Sequence, residues 1–390
     1  MDPASGILMS AGIDPNPGSK KGSGIDPNPG SHSTSGIDPN PGNSSQPVPN
    51  GLVMSALNSS RSALSRPDID HWFALRRRSG RNLWQLEPEW LVTVVQKQLG
   101  QRLMVIDRVL WLASAPAPDG SVASPALKLL TIVGPNTDTD IGRKTLEVQT
   151  QAVIDRAEER PDRSAEIQVQ ADNLWPFFSA ITYVVPARAP RTAQLLAVAT
   201  AMASAVAQQF KYQIGCPRPV DCSAAVQPLI TTPSHASLPS GHATSAYLMQ
   251  RVLQELLGLS PNAGAAVAMR RLARRVAENR TVAGLHFPMD SCAGWLLGRT
   301  LADVVVAVAT HGNLPEDRSF DSADLAFSDE GDPAKGNLPP GDEEFEVVPG
   351  CRDAIRTGHA RAPIEDVASL WQAAVAELAA QGLRSPGAQA

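Results

Sequence analysis

Three short runs between residues 211 and 290 hold side chains that could grip and transform a tetrahedral oxyanion. The first has Lys211 and, seven positions on, Arg218 followed by Pro219. The second is Pro239-Ser240-Gly241-His242. The third has Arg280, His286 and Asp290, spaced by six and four positions. Lys211, Arg218 and Arg280 are three cations, and the two arginines can fork onto pairs of oxygens. Ser240 brings a hydroxyl, and Gly241 lets a backbone N–H approach without a Cβ in the way. His242 and His286 can divide the remaining work, one as nucleophile or ligand and one as acid/base. No single run is specific; the ordered set is.

These residues need elements to carry them. Residues 192–213 read as an Ala-rich helix that delivers Lys211, and 217–239 as a loop. A helix begins at Gly241, so Ser240 and Gly241 fall at a helix N-terminus, where free N–H groups and the dipole favour an anion. Residues 262–278 form the next helix, and Arg280 leads a turn into His286. Pro288 opens the last site helix, with Asp290 in its first turn.

The three runs in this order resemble those of the superfamily of type-2 phosphatidic acid phosphatases, bacterial class A acid phosphatases and vanadium-dependent haloperoxidases. Asn279 departs from the pattern, standing where Ser often precedes the third-run Arg. His235, seven positions before His242, is similar to the extra histidine of the bromoperoxidase version of the loop, which phosphatases usually lack. The resemblance implies an all-α helical bundle and a vanadate cofactor. His286 would then bind vanadium, with Asp290 steering its other nitrogen. Lys211, Arg218, Ser240, Gly241 and Arg280 would hold the oxygens, and His242 would act as acid/base. His235 would serve the halide site. The partners implied are hydrogen peroxide, a halide (bromide first) and an organic acceptor.

Phosphate and vanadate are near-isosteric, so a soluble phosphatase remains the alternative. There His286 attacks phosphorus, His242 protonates the leaving alcohol and the cations stabilise the transition state. Asp290 fits both reactions; His235 separates them. The other four histidines, His32, His71, His311 and His359, have no motif around them.

Composition bounds the rest. A net charge of −5 gives no basic field for nucleic acid. Four cysteines, Cys216, Cys222, Cys292 and Cys351, show no metal spacing, and reduced thiols are expected over a Cys216–Cys222 disulfide. Residues 1–65 are expected to be a disordered arm, because Gly-Ile-Asp-Pro-Asn-Pro-Gly recurs three times at a twelve-residue period among Ser, Asn and Pro. One all-α domain is expected over 66–390, with its site core at 192–310.

Before the site core, 87–113 reads as one amphipathic helix. A loop with a short helix at 126–133 follows, then a helix over 145–160. Trp175-Pro176-Phe177-Phe178 ends one helix and starts another, with core packing expected for the aromatics and a wall of the active-site pocket as the alternative. No strand-like alternation of any length is visible. Nineteen uncharged residues precede Lys211, but Gln194, Thr200, Ser204, Gln208 and Gln209 interrupt them. The other apolar stretch, 288–308, carries Asp290, Arg299 and Asp303. Neither a membrane span nor a secretory leader is expected, and the cytoplasm is the default compartment. Residues 316–346 hold eleven acids against two bases and read as a solvated loop, with a lid or the wrapping arm of a homodimer as the alternative. An amphipathic helix over 363–380 closes the chain.

Overall fold

The computed structural model describes residues 95, 99–100, 102–113, 125–315, 318–325, 351–352, 355–359 and 364–384. The expectations for the N-terminal arm, the start of the 87–113 helix and most of the acidic segment lie outside these residues. Eight longer helices are described: α1 (Asp140–Asp155), α2 (Arg160–Asp172), α3 (Trp175–Thr182), α4 (Pro190–Ile214), α5 (Gly241–Leu256), α6 (Gly264–Val282), α7 (Pro288–Thr310) and α8 (Glu365–Ala380). The expected helical bundle is present, and α4 to α7 carry the three runs.

α7 is the central rod. Most of its side chains are buried, including Cys292, Leu296, Leu297, Leu301, Val304 and Val308, all at 0% exposure. It lies against α5 with almost no gap. A Cβ on Gly294 would stand 2.7 Å from the Ser240 carbonyl oxygen, and one on Gly298 would stand 2.3 Å from that of Thr244. Only glycine permits that approach. Among the described residues α7 alone is long and apolar enough to cross a membrane, and 83% of its most apolar window is buried inside the protein.

The region before the bundle differs from expectation. Residues 103–113 are not helical but form a hairpin, β1 (Leu103–Ile106) and β2 (Val109–Ala113). Its two-residue turn, Asp107-Arg108, has φ of 51° and 63°, the sign pattern of a type I′ turn that matches strand twist. The expected short helix at 126–133 is β3 (Pro125–Val133), antiparallel to β2. Two further strands, β5 (Arg318–Asp321) and β6 (Cys351–Arg352), complete a sheet of order β1-β2-β3-β5-β6, with β3 and β5 parallel. β4 (Asn313–Pro315) and β7 (Ile355–His359) form a separate antiparallel pair. The physical reason is ambiguity of period. Short apolar runs such as Leu103-Met104-Val105-Ile106 fit either periodicity, and pairing decides the outcome: β1 with β2 across the hairpin, and β3 with β5, nearly two hundred residues on.

The sheet is tied to the site through α4. Gln209 Oε1 accepts from the Val105 N–H at 3.2 Å. Gln213 accepts from the Arg108 N–H at 2.7 Å and donates to the Val105 carbonyl at 2.7 Å. Two glutamines on either side of Lys211 thus satisfy the free edge of β1. At the other end of α4, Glu377 of α8 accepts from the backbone N–H groups of Arg191 (3.1 Å) and Thr192 (2.9 Å) and from the Thr192 hydroxyl (3.0 Å). A carboxylate there also complements the helix dipole.

In the middle stretch, the 145–160 helix is α1, which starts earlier, at Asp140, and is capped by Thr139, whose hydroxyl accepts from the Gly142 N–H. A short 3-10 turn joins it to α2, where Pro161 sits in the first turn rather than ending a helix. Trp175 and Phe178 are buried in the core at 8% and 0% exposure, as expected of packing residues.

Candidate oxyanion site

Each run is presented by a helix end. Lys211 is in the last turn of α4, which stops at Gly215 with φ +66°, the left-handed position glycine occupies without strain. Arg218 follows before a single helical turn (Pro219–Cys222), and its backbone N–H donates to Asp221 Oδ2 at 2.8 Å. Ser240 caps α5, accepting from Ala243 N–H. Arg280 sits in the last turn of α6. Gly284, with φ +80°, then turns the chain so that His286 leads into α7. A side chain at Gly284 would also press on the Arg160 guanidinium, at 3.0 Å. That guanidinium binds the carbonyls of Val226, Gln227 and Val282 and so pins the loop beside the site.

The three runs converge on His286. Its Nδ1 lies 2.9 Å from Asp290 Oδ2, and its Nε2 lies 3.4 Å from Arg218 Nη1. A guanidinium can only donate, so Nε2 carries the lone pair and Nδ1 the proton. Asp290 Oδ2 also accepts from the Phe287 N–H at 3.0 Å and from the Ser237 hydroxyl. The Ser240 N–H donates to the Asp290 carbonyl at 2.9 Å, joining the second run to the third.

Arg218 is engaged throughout. Nε donates to the His235 carbonyl (3.0 Å), Nη1 to the Leu285 carbonyl (2.9 Å) and Nη2 to the Ala236 carbonyl (3.4 Å); Nη2 also lies 3.0 Å from His235 Nδ1, which is itself 3.1 Å from the Ala236 carbonyl. Lys211 Nζ donates to the carbonyls of Ala236 (2.9 Å) and Ser237 (2.7 Å). Both cations therefore shape the 235–237 loop as well as the pocket. By contrast Arg280 donates only from Nη2, to the Ile167 carbonyl at 3.0 Å, and its Nε and Nη1 are buried without a partner. His242 Nε2 is 3.2 Å from the Ala171 carbonyl, which fixes the proton there and leaves a lone pair on Nδ1. That Nδ1 is also buried without a partner, as is Nε2 of His235.

Charge makes the same point. Lys211, Arg218 and Arg280 are 1%, 3% and 0% exposed, against one carboxylate buried as deeply among the described residues, Asp290. Burial pushes the two guanidiniums down to about 10. It holds Lys211 well below its ordinary range, with Arg218 adding repulsion. His242 is pushed down to about 3, by burial first and Arg280 second, so its ring is neutral. His286 is held low by burial and then by Arg218. Burial also raises Asp290 to about 6, against the pull of the Ser237 hydrogen bond. An excess of buried positive charge with unsatisfied N–H donors is costly alone and favourable around an anion. The residues fit a tetrahedral oxyanion, with Arg280 donating and His242 Nδ1 accepting from a protonated oxygen. Among the described residues no group of three or more His, Cys, Asp and Glu could hold a metal cation.

Residues 192–312 match the model of the PAP2 superfamily. The matched stretch runs from α4 to just past α7 and includes all nine candidate residues, from Lys211 to Asp290. Among solved structures, the chain is similar to one described as the first bacterial vanadium-dependent iodoperoxidase, at 19% identity and a TM-score of 0.33. That similarity covers 43% of this chain and 48% of the other, about half its length. No curated protein matches.

Within the matched segment, Asn279 is a supporting residue: it donates to Gln170 at 2.8 Å and accepts from Arg163 at 3.2 Å, bracing Arg280 from α2. His235 does not stand off from the cradle, because it is bonded to Arg218. Two participants escaped the sequence reading. The Ala171 carbonyl, at the end of α2, carries no side-chain signal. Ser237 had one, since it lies in the same loop as His235, but its partner is 53 residues away. Cys216 and Cys222 are not joined in a disulfide.

Proposed function

We propose that this chain is a vanadate-dependent haloperoxidase that oxidises bromide with hydrogen peroxide to hypobromous acid, which then halogenates an organic acceptor. The observation that carries the reading is His235. It adjoins Arg218 through both its backbone carbonyl and its ring, and its Nε2 is buried with no partner of its own.

His286 Nε2 would bind vanadium. Arg280, Arg218, Lys211, the Ser240 hydroxyl and the Gly241 N–H would hold the oxygens. When bound, vanadate supplies a Lewis-acidic centre at which hydrogen peroxide becomes an oxidant for halide. The chain's own residues do the rest. Asp290 keeps the His286 proton on Nδ1, so that Nε2 remains a donor of electrons. His242 Nδ1 accepts a proton from the entering hydrogen peroxide, since its lone pair is fixed by the Ala171 carbonyl. Protonated at Nε2, His235 would offer a hydrogen bond beside Arg218, where a halide anion would meet both a donor and a positive charge. The balance is one halide, one hydrogen peroxide and one proton giving hypohalous acid and water.

The phosphatase reading keeps one specific support. A neutral imidazole held by a carboxylate with its Nε2 lone pair exposed to a cation cluster is also what attack on phosphorus requires. The test is direct. Protein reconstituted with orthovanadate should brominate a phenolic dye with bromide and hydrogen peroxide, the metal-free form should not, and phosphate should compete. Fast aryl-phosphate hydrolysis with no bromination at any vanadate concentration would overturn the proposal in favour of the phosphatase.

A further inference from the structure

Ser237 lies outside the three runs, yet it is bonded to the first and the third. Its backbone N–H donates to the Cys216 carbonyl at 3.0 Å, between Lys211 and Arg218. Its carbonyl accepts from Lys211 Nζ at 2.7 Å. Its hydroxyl donates to Asp290 Oδ2 and lies 3.5 Å from His286 Nδ1. The residue is 0% exposed, so no water competes for these bonds.

The side-chain bond has a distinct consequence. Asp290 Oδ2 gathers three donors, His286 Nδ1, the Phe287 N–H and the Ser237 hydroxyl, while Oδ1 is buried with none. The terminal torsion of an aspartate is soft. A carboxylate held by the histidine alone could turn and leave Nδ1 without an acceptor. The hydroxyl arrives from the 235–237 loop and the Phe287 N–H from the start of α7, so the two fix the carboxylate from different elements.

We infer that Ser237 is a positioning residue: its hydroxyl locks the Asp290 carboxylate so that His286 keeps its proton on Nδ1 and its lone pair on Nε2. The inference rests on the reading of Nε2 as the atom that meets the ligand, and it applies whether that ligand is vanadate or a phosphoryl group. Outer partners of a ligating histidine act in this way, fixing its tautomer and orientation.

Ser237→Ala removes only the hydroxyl, because the bonds to Cys216 and Lys211 use the backbone. Ser291→Ala is the control: its hydroxyl is equally buried, next to Asp290 in sequence, but donates to the Ala277 carbonyl at 3.3 Å. Long-range proton–nitrogen spectra of protein labelled at histidine, with the His286 signal assigned by its loss in His286→Gln, report the tautomer without any ligand. The wild type and Ser291→Ala should show a single Nδ1–H form, and Ser237→Ala a mixture. The orthovanadate Kd, from equilibrium dialysis, should rise about tenfold or more in Ser237→Ala, and Ser237→Thr should recover most of it. A Ser237→Ala protein with the spectrum and affinity of Ser291→Ala overturns the inference. Should Ser237→Ala fail to fold, Ser237→Cys substitutes a weaker donor of similar size. That variant should give an intermediate spectrum, and an unchanged one refutes the role. A wild type that binds no vanadate sinks the haloperoxidase reading alone, since the tautomer is read on the unloaded protein.

Discussion

The Arg218 guanidinium holds His235 twice, donating from Nε to its carbonyl at 3.0 Å and placing Nη2 3.0 Å from its Nδ1, so the histidine that argues for halide chemistry is built into the oxyanion cradle. Removing it therefore has two effects of different size. His235→Ala should lower bromide oxidation on the order of 100-fold, the scale of a lost proton donor. Vanadate affinity should fall only about tenfold or less, the net worth of one hydrogen bond. Turnover and Kd measured on the same preparation check this, and equal losses in both would assign His235 to the cradle alone.

His286→Ala should abolish vanadate binding while leaving the protein folded. Asp290 keeps two donors in that variant, Ser237 and the Phe287 N–H, so its charge is not stranded. Near wild-type affinity by equilibrium dialysis would show that another atom holds the ligand.

The two arginines should separate under substitution by lysine. Arg280 has Nε and Nη1 to give a ligand, so Arg280→Lys should cost about 1.5–3 kcal/mol of binding, the worth of a lost charged hydrogen bond. Arg218 also holds the His235, Ala236 and Leu285 carbonyls. Arg218→Lys should thus weaken binding and lower the Tm as well, because an ammonium cannot span that fork. A Tm drop confined to Arg280→Lys would reverse the assignment.

Acid should destabilise the fold. His242 and His235 are pushed from 6.5 down to about 3, so the unfolded chain takes up their protons first. Their contribution is complete above pH 6.5 and is lost as pH falls toward 3. Asp290 has the opposite sign: raised from 3.8 to about 6, it favours the fold at low pH and loses that contribution as pH rises through 6. Two histidines outweigh one carboxylate, and His286 adds to their side. Urea midpoints should therefore decline from about pH 7 to about pH 4.5; a flat or rising series contradicts the neutral buried rings.

Gly298→Ala would place a Cβ 2.3 Å from the Thr244 carbonyl oxygen, a backbone atom with little freedom to yield. Prying α5 from α7 should cost about 1–3 kcal/mol in chemical denaturation. It should also reduce vanadate affinity, since Ser240 and Asp290 meet across that crossing. An unchanged midpoint would mean the helices separate freely.

What the sequence determined by itself was local. Residue types at fixed spacing gave the cations, the two histidines and the carboxylate, and the place of Ser240 at the start of α5 was readable because a helix N-terminus depends on neighbours within a turn. The long helices α4, α5 and α7 were legible for the same reason. The strands were not: 103–113 and 125–133 are apolar runs too short to declare a period, and their fate was decided by pairing with one another and with β5. Nor could the sequence say which atoms of the site are spoken for. Arg218 is engaged by 235–236 and 285–286, Arg280 keeps two nitrogens for a ligand, and Ser237 sits between Asp290 and Lys211. Those are pairings between segments far apart in the chain, where burial removes water as a competitor and leaves each donor to the acceptor that packing brings within reach.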